Sequence, residues 1–202
     1  AAFPVTLDPG FTDGGDTWQN FWSNGAGTFG NNALGAWEWN YAGNQYSGGA
    51  NKYWRGFIRF PQYQTLGGQI ITDAKVWAGE RSGNASASVS LYSVDGATGT
   101  WSWGLPTGSP IGTQTINSSG TNVSYDVTSL VQGWVNTTPV PSKAFVFVGT
   151  ETSGVFSRKS LESWMDVTYT TNSAPPAATA NPRPVDNGIT VLDAPVFSVD
   201  AV

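Results

Sequence analysis

The chain has 202 residues, a size that suits one sizeable domain with a short appendage, and a domain of about 170 residues buries roughly 70% of its unfolded surface without staples. Charged residues make up 11%, against about a quarter in ordinary soluble domains, and a net charge of −5 argues against nucleic acid or an anionic membrane as the main partner. With Cys 0 and His 0, thiol nucleophiles, Ser-His-Asp triads and nearly every zinc, copper or haem site are excluded, and no run of about 18 apolar residues is present to span a membrane.

Residues 1–51 contain no Lys or Arg and carry Asp8, Asp13, Asp16 and Glu38. The stretch FTDGGDTWQNFWSNGAGTFGNN reads as loop between short strands. Within it, Asp13-Gly14-Gly15-Asp16 forms a tight acidic turn. Carboxylates and backbone carbonyls on a loop are hard-cation ligands, so Asp13 and Asp16 are the candidate metal residues and calcium the one cofactor they would admit. The spacing is not that of an EF-hand, and a solvated turn is the simpler reading. Trp18, Phe21, Trp22, Trp37, Trp39, Tyr41 and Tyr46 follow, interleaved with Asn20, Asn24, Asn40, Asn44 and Gln45. Flat rings stack on sugar faces while amides bond hydroxyls, so this set is a candidate glycan surface. A second small core beneath long loops, or a subunit contact, would use the same residues.

Strand signals sharpen at YWRGFIRF, where Trp54, Gly56, Ile58 and Phe60 alternate with Arg55, Phe57 and Arg59 before Pro61 ends the run. ITDAKVWAGE places Ile71, Ala74, Val76 and Ala78 inward, and SASVSLYSV alternates through Ala87, Val89 and Leu91. DGATGTWSWGLPTGSP is a long loop whose Trp101 and Trp103 read as exposed; with Trp 10 in the chain, some indoles must face outward. IGTQTI and TNVSYDV are short strands.

YDVTSLVQGWVN then predicts a helix, with Val127, Leu130, Val131 and Trp134 on one face and Asp126 or Thr128 accepting from the first-turn N–H groups. It is too short to persist alone, so it plugs one open end of a strand-built core. KAFVFVGTE is a continuous apolar run, as in a central strand buried on both faces, and ESWMDVTYTT closes the domain by alternation. Eight or more short strands imply an all-β fold, a β-sandwich or jelly roll with one short helix and an extended C-terminal tail. That domain spans residues 1–171. Residues 172–188 form a Pro-rich linker containing Pro175, Pro176, Pro182 and Pro184. Residues 189–202 are a strand-like tail, either the start of a following immunoglobulin-like domain or a strand donated to a neighbour through Val191, Val196, Phe197 and Val199.

Four segments stand in an order that resembles the DNRLRE domain family, secreted β-sandwich modules related to an alginate-binding carbohydrate-binding module family. They are Asp16-Thr17-Trp18 through Phe29-Gly30-Asn31-Asn32; Arg55 to Phe60 with Ile71 to Val76; Asp126 to Val135, the most distinctive; and Met165 to Tyr169 followed by Ser173-Ala174-Pro175-Pro176. The likeness covers roughly residues 11–171, and departs from the family at the aromatic insertion from Trp37 to Tyr53 and in the Trp-rich loop after Val94. It implies an extracellular or cell-surface accessory module.

Glu38, Glu80, Glu151 and Glu162 could pair for glycoside cleavage only if the fold brought two together, and strand alternation keeps Lys52, Tyr53 and Arg55 from sharing one face. The expected function is non-catalytic: adhesion or carbohydrate binding, with a polysaccharide or cell-surface glycan as partner, through Trp18, Trp22, Trp37, Trp39, Tyr41, Tyr46, Trp101 and Trp103. The rival is a structural subunit of an extracellular filament or sheath, joined to identical subunits by tail donation. An enzyme acting on polysaccharide is a weaker third. Asn84, Asn117, Asn122 and Asn136 head glycosylation sequons.

Overall fold

The computed structural model describes residues 9–34, 39–82, 86–117 and 120–171. Eleven strands run β1 (Gly10–Asp13), β2 (Thr17–Ser23), β3 (Phe29–Leu34), β4 (Asn40–Ser47), β5 (Ala50–Arg59), β6 (Ile70–Ser82), β7 (Ala87–Asp95), β8 (Gly112–Ile116), β9 (Asn122–Asp126), β10 (Lys143–Gly149) and β11 (Lys159–Thr170), with one α-helix, α1 (Thr128–Val135), between β9 and β10. The fold is all-β and sandwich-like, as the alternation predicts. The tail residues Val191, Val196, Phe197 and Val199, and the linker before them, lie outside the described residues.

The N-terminal segment differs from the expected loop. Residues 10–34 are mostly strand: β2 pairs antiparallel with β3 and β5, and β1 pairs with β11. Asn and Gly disguise them, because both are poor strand formers that serve here in turns and as anchors. Between β2 and β3, the Asn24 Oδ1 accepts from the Ala26 and Thr28 N–H groups at 2.8 and 3.0 Å, closing the hairpin.

All pairings are antiparallel. One layer holds β1, β11, β6 and β9; the other holds β3, β2, β5, β10, β7 and β8. Strand β4 belongs to both: residues 40–42 pair with β11, and residues 43–47 pair with β5. The change of partner falls at Gly43, whose φ of +99° is open to Gly at no steric cost. There the chain passes the end of β10 so closely that a Cβ on Gly149 would stand 2.6 Å from the Gly43 nitrogen. On the far side, the Gln114 side chain donates to the Ser124 carbonyl at 3.0 Å and links β8 to β9, which brings the sheet near to closure as a flattened barrel.

Between the layers lies the main core, including Ile58, Phe60, Val76, Val89, Leu91, Phe145, Phe147, Met165 and Val167. The helix caps it at one end. Val131, Trp134 and Val135 are buried, while Leu130 packs at the margin. The Trp134 ring stands 5.1 Å from that of Tyr63 and 5.6 Å from that of Phe145. The N-cap position is Val127, and Asp126 accepts from the Thr128 N–H at 2.9 Å. The Thr128 hydroxyl instead accepts from the Ala74 N–H at 2.9 Å, and the Gln132 carbonyl oxygen accepts from the Ile71 N–H at 2.7 Å. These two side chains stitch the helix to β6, so a segment too short to hold itself is held by the sheet.

Tyr63 sits in a 3-10 turn (Gln62–Leu66) beneath the helix, fully buried, donating to the Pro141 carbonyl and accepting from the Lys143 N–H, both at 2.7 Å. Burial pushes its phenol up to about 12, against a backbone hydrogen bond that pulls the other way. Folding thus favours the neutral form. That contribution is fully present below the ordinary tyrosine value of about 10 and is lost as pH rises through the folded value. Relative to Tyr63→Phe, the native protein is expected to lose about 1 kcal/mol between roughly pH 9 and 11, measured by urea denaturation. A pH-independent difference would show that the phenol titrates normally.

Candidate functional site

Strand β5 carries apolar residues on both faces. Ile58 points into the main core, and Phe57 points away from it, yet both are fully buried. What covers Phe57 is a second, smaller core on the outside of the sheet: Phe21 from β2, Val94 at the end of β7, Ala144 and Val146 from β10, and Trp101. Phe21 meets Phe57 edge-on at 5.1 Å, and Trp101 lies nearly parallel to it at 5.4 Å. The Trp101 indole N–H donates to the Asp95 carbonyl at 2.7 Å, which pins the β7–β8 connection across the sheet. Trp101 is therefore a core residue, 5% exposed, not the exposed ring its loop setting suggests.

Two residues on, Trp103 is only partly buried. Its position is fixed by Arg55, which projects from the same outer face of β5 as Phe57. The guanidinium lies over the Trp103 ring at 4.1 Å and donates to the Trp103 and Leu105 carbonyls at 2.8 and 3.3 Å. Its Nε and Nη2 grip the Glu151 carboxylate at 2.7 and 2.9 Å, a bidentate pair. One side chain thus ties the β7–β8 connection, β5 and the segment after β10 together.

Beside Trp103 opens a groove of about 500 Å³ lined by Phe21, Phe29, Gly30, Asn31, Ser102, Trp103 and Gly104. Phe29 stands 6.5 Å from Trp103 with the rings tilted by 41°, and at 58% exposure it is the most exposed large apolar side chain among the described residues. Phe29 and Asn31 share a face of β3 because they are two apart. Gly30, between them, presents no side chain to the opposite face, where a Cβ would meet the Trp22 ring at 2.5 Å. The lining holds no carboxylate, amine or phenol. Two aromatic walls, an exposed amide and an exposed hydroxyl give it the chemistry of contact: rings for flat apolar faces, Asn31 and Ser102 for hydroxyl groups.

Of the ring-bearing residues that the sequence singles out, the fold brings Phe21 and Trp103 to this groove among the described residues. Trp18 packs against the main core. Trp22 packs on the inner face of the β2–β5 pair, under Lys52. Tyr41 meets Trp54 edge-on at 5.3 Å beneath the Arg158 guanidinium. Trp39 and Tyr46 are exposed, at 39% and 37%, but line no part of the groove. Trp37 and Glu38 lie outside the described residues. Phe29, Asn31 and Ser102 were not legible as site residues; the alternation in FGNN was the one available signal.

The acidic turn is occupied by the protein itself. Asp13, 3% exposed, accepts from the Gly15 and Gln62 N–H groups at 2.8 and 2.9 Å. Burial pushes its carboxyl above the usual range against those two bonds, with the nearby Asp16 adding to the rise. Asp16 accepts from Arg59 at 2.8 and 2.6 Å. No cluster of three or more metal-ligating side chains is present among the described residues. The other sequence-flagged carboxylates sit in separate ion pairs: Glu80 with Lys159, Glu151 with Arg55 and Glu162 with Arg81. No protein-family model matches the chain, and no curated protein matches it.

Because Arg55 holds Trp103, Arg55→Lys is expected to loosen the connection without emptying the core. Loss of the bidentate grip costs about 1–2 kcal/mol. Acrylamide quenching of indole fluorescence should rise at the same time, and unchanged quenching would show that Trp103 is held by packing alone.

Proposed function

We propose that this chain is a non-catalytic, extracellular or cell-surface module that binds carbohydrate and serves adhesion, with the Phe29–Trp103 groove as its contact surface. The single observation that carries the reading is an exposed phenylalanine facing a partly buried indole across an otherwise uncharged groove, with an amide and a hydroxyl on its rim. A preformed groove spends little entropy on immobilising rings, and sugars present alternating apolar faces and hydroxyl edges to such a lining. The motif order that resembles DNRLRE modules points the same way.

A glycan array probed with the full chain should show retention of at least one glycan class. Phe29→Ala should weaken that binding by roughly tenfold while barely changing stability, because so exposed a ring contributes little to the fold. Trp103→Ala should weaken it at least as much, and Trp39→Ala should leave it unchanged. A silent array, or binding indifferent to both Phe29→Ala and Trp103→Ala, would remove the groove from consideration.

One observation favours a second reading. Among the described residues, β3 forms ladder bonds with β2 alone, so its outer edge can accept a further strand. A structural subunit assembled by donation of residues 189–202 would use it. Sedimentation of the full chain against a 1–171 truncation separates the two: self-association lost on truncation supports the subunit, and a single monomeric species of each removes it.

A further inference from the structure

The basic side chains are few, and most have acidic partners. Arg55, Arg59, Lys75, Arg81 and Lys159 each sit on a carboxylate. Besides Lys143, the described exceptions are Lys52 and Arg158, and these two repel one another: burial lowers the Lys52 pKa and the Arg158 charge lowers it further. In a chain of net charge −5, a pair of cations held together with no ion-paired acid among the described residues needs a reason.

Both belong to one constellation at the β4–β5 hairpin, on the face of β2 opposite to Phe21 and the groove. Lys52 is the cross-strand partner of Gln45, and Trp22 that of Trp54. The Lys52 ammonium is held between two indoles, 4.3 Å from the Trp22 ring and 4.5 Å from the Trp54 ring. Gln45 accepts from the Trp54 indole N–H at 3.2 Å and from Arg158 Nη1 at 3.0 Å. Both bonds fall on its carbonyl oxygen, so its NH₂ group remains to donate. Asn51 is largely engaged: its oxygen accepts from Asn44 and Gly154, and its nitrogen donates one of its two N–H groups to Ser153. Together Trp22, Gln45, Ser47, Ala50, Asn51 and Lys52 line a cavity of about 270 Å³ that no carboxylate of the described residues enters.

We infer that this cavity binds an oxyanion, with Lys52 as its charge partner, Arg158 as the flanking positive charge, and the Gln45 amide and Ser47 hydroxyl as donors. The indole walls take the place of part of the ammonium's water, and its N–H bonds have no acceptor among the described residues. That is the condition under which a bound anion is worth most. An anion there relieves the repulsion between the two cations. The site is independent of the groove, since alternate residues of β2 serve the two, and either can fail while the other stands.

Titration of the full chain with sulfate, phosphate or acetate, at ionic strength held constant with chloride, tests it. The readout is the indole N–H signals of Trp22 and Trp54 in ¹H–¹⁵N NMR spectra. The expected result is a saturable shift of these two indoles with the rest still. Preference for sulfate or phosphate over acetate would identify a tetrahedral anion, and the reverse a carboxylate. Lys52→Met, which keeps the length of the stem, should weaken binding at least tenfold. Arg158→Gln, outside the cavity lining, should weaken it several-fold and keeps the test open if Lys52→Met fails to fold. Shifts that rise linearly for all three anions, or affinities untouched by Arg158→Gln and Lys52→Met, would overturn the assignment and leave Lys52 as a staple between two indoles.

Discussion

Strand β5 has to be covered twice. Ile58 helps to close the space between the layers, and its neighbour Phe57 faces what would be solvent in a two-layer sandwich. A fully buried aromatic side chain is worth about 2–3 kcal/mol over an exposed one, so the sheet demands a lid on that side. The β7–β8 connection supplies it by laying Trp101 over Phe57. Once that connection is drawn across the sheet, Trp103 is carried to the rim, β3 lies within reach of it, and the groove between them exists. The groove is thus a by-product of protecting the outer face of one strand.

Charge is used sparingly and locally. Arg55 would be costly at the edge of an apolar layer, but Glu151 neutralises it and two carbonyls take its remaining reach. Lys159 and Glu80, almost wholly buried, make a looser pair at 3.6 Å, with Lys159 also donating to the Asn117 carbonyl at 2.6 Å. Amides do much of the remaining work. Asn20 holds the segment before β4 through the Trp39 carbonyl and the Tyr41 N–H, and Asn44 fixes the chain after β10 through the Thr152 and Val155 carbonyls. A chain with so few charges anchors its loops with uncharged groups that need no counter-ion.

The parts of the fold that could be read from the residues were those whose burial is one-sided. Ile71, Ala74, Val76 and Ala78 alternate toward a single core, and Val131 and Trp134 repeat at helical spacing. The N-terminal strands were hidden because Asn20 and Gly30 sit inside them, where a polar anchor and a close approach to Trp22 matter more than strand propensity. Trp101 reads as exposed for a different reason. A period of two identifies which residues share a face, but not whether that face is wet. The outward Phe57 and the unbroken apolar run through Val146, which reads as buried on both faces, are the trace of a second layer, but nothing in them names Trp101 as its cover. The groove was illegible because its two walls are far apart in sequence and meet only through that layer.

The passage of β4 from one layer to the other has a mechanical consequence. In a sandwich of separate sheets, sliding one over the other is opposed by interdigitated side chains alone. Here a single strand is laddered to β11 at one end and to β5 at the other. Any such shear must stretch backbone hydrogen bonds, with Gly43 and Gly149 packed backbone to backbone at the pivot. The crossing strand thus braces the two layers against each other through main-chain bonds as well as through packing.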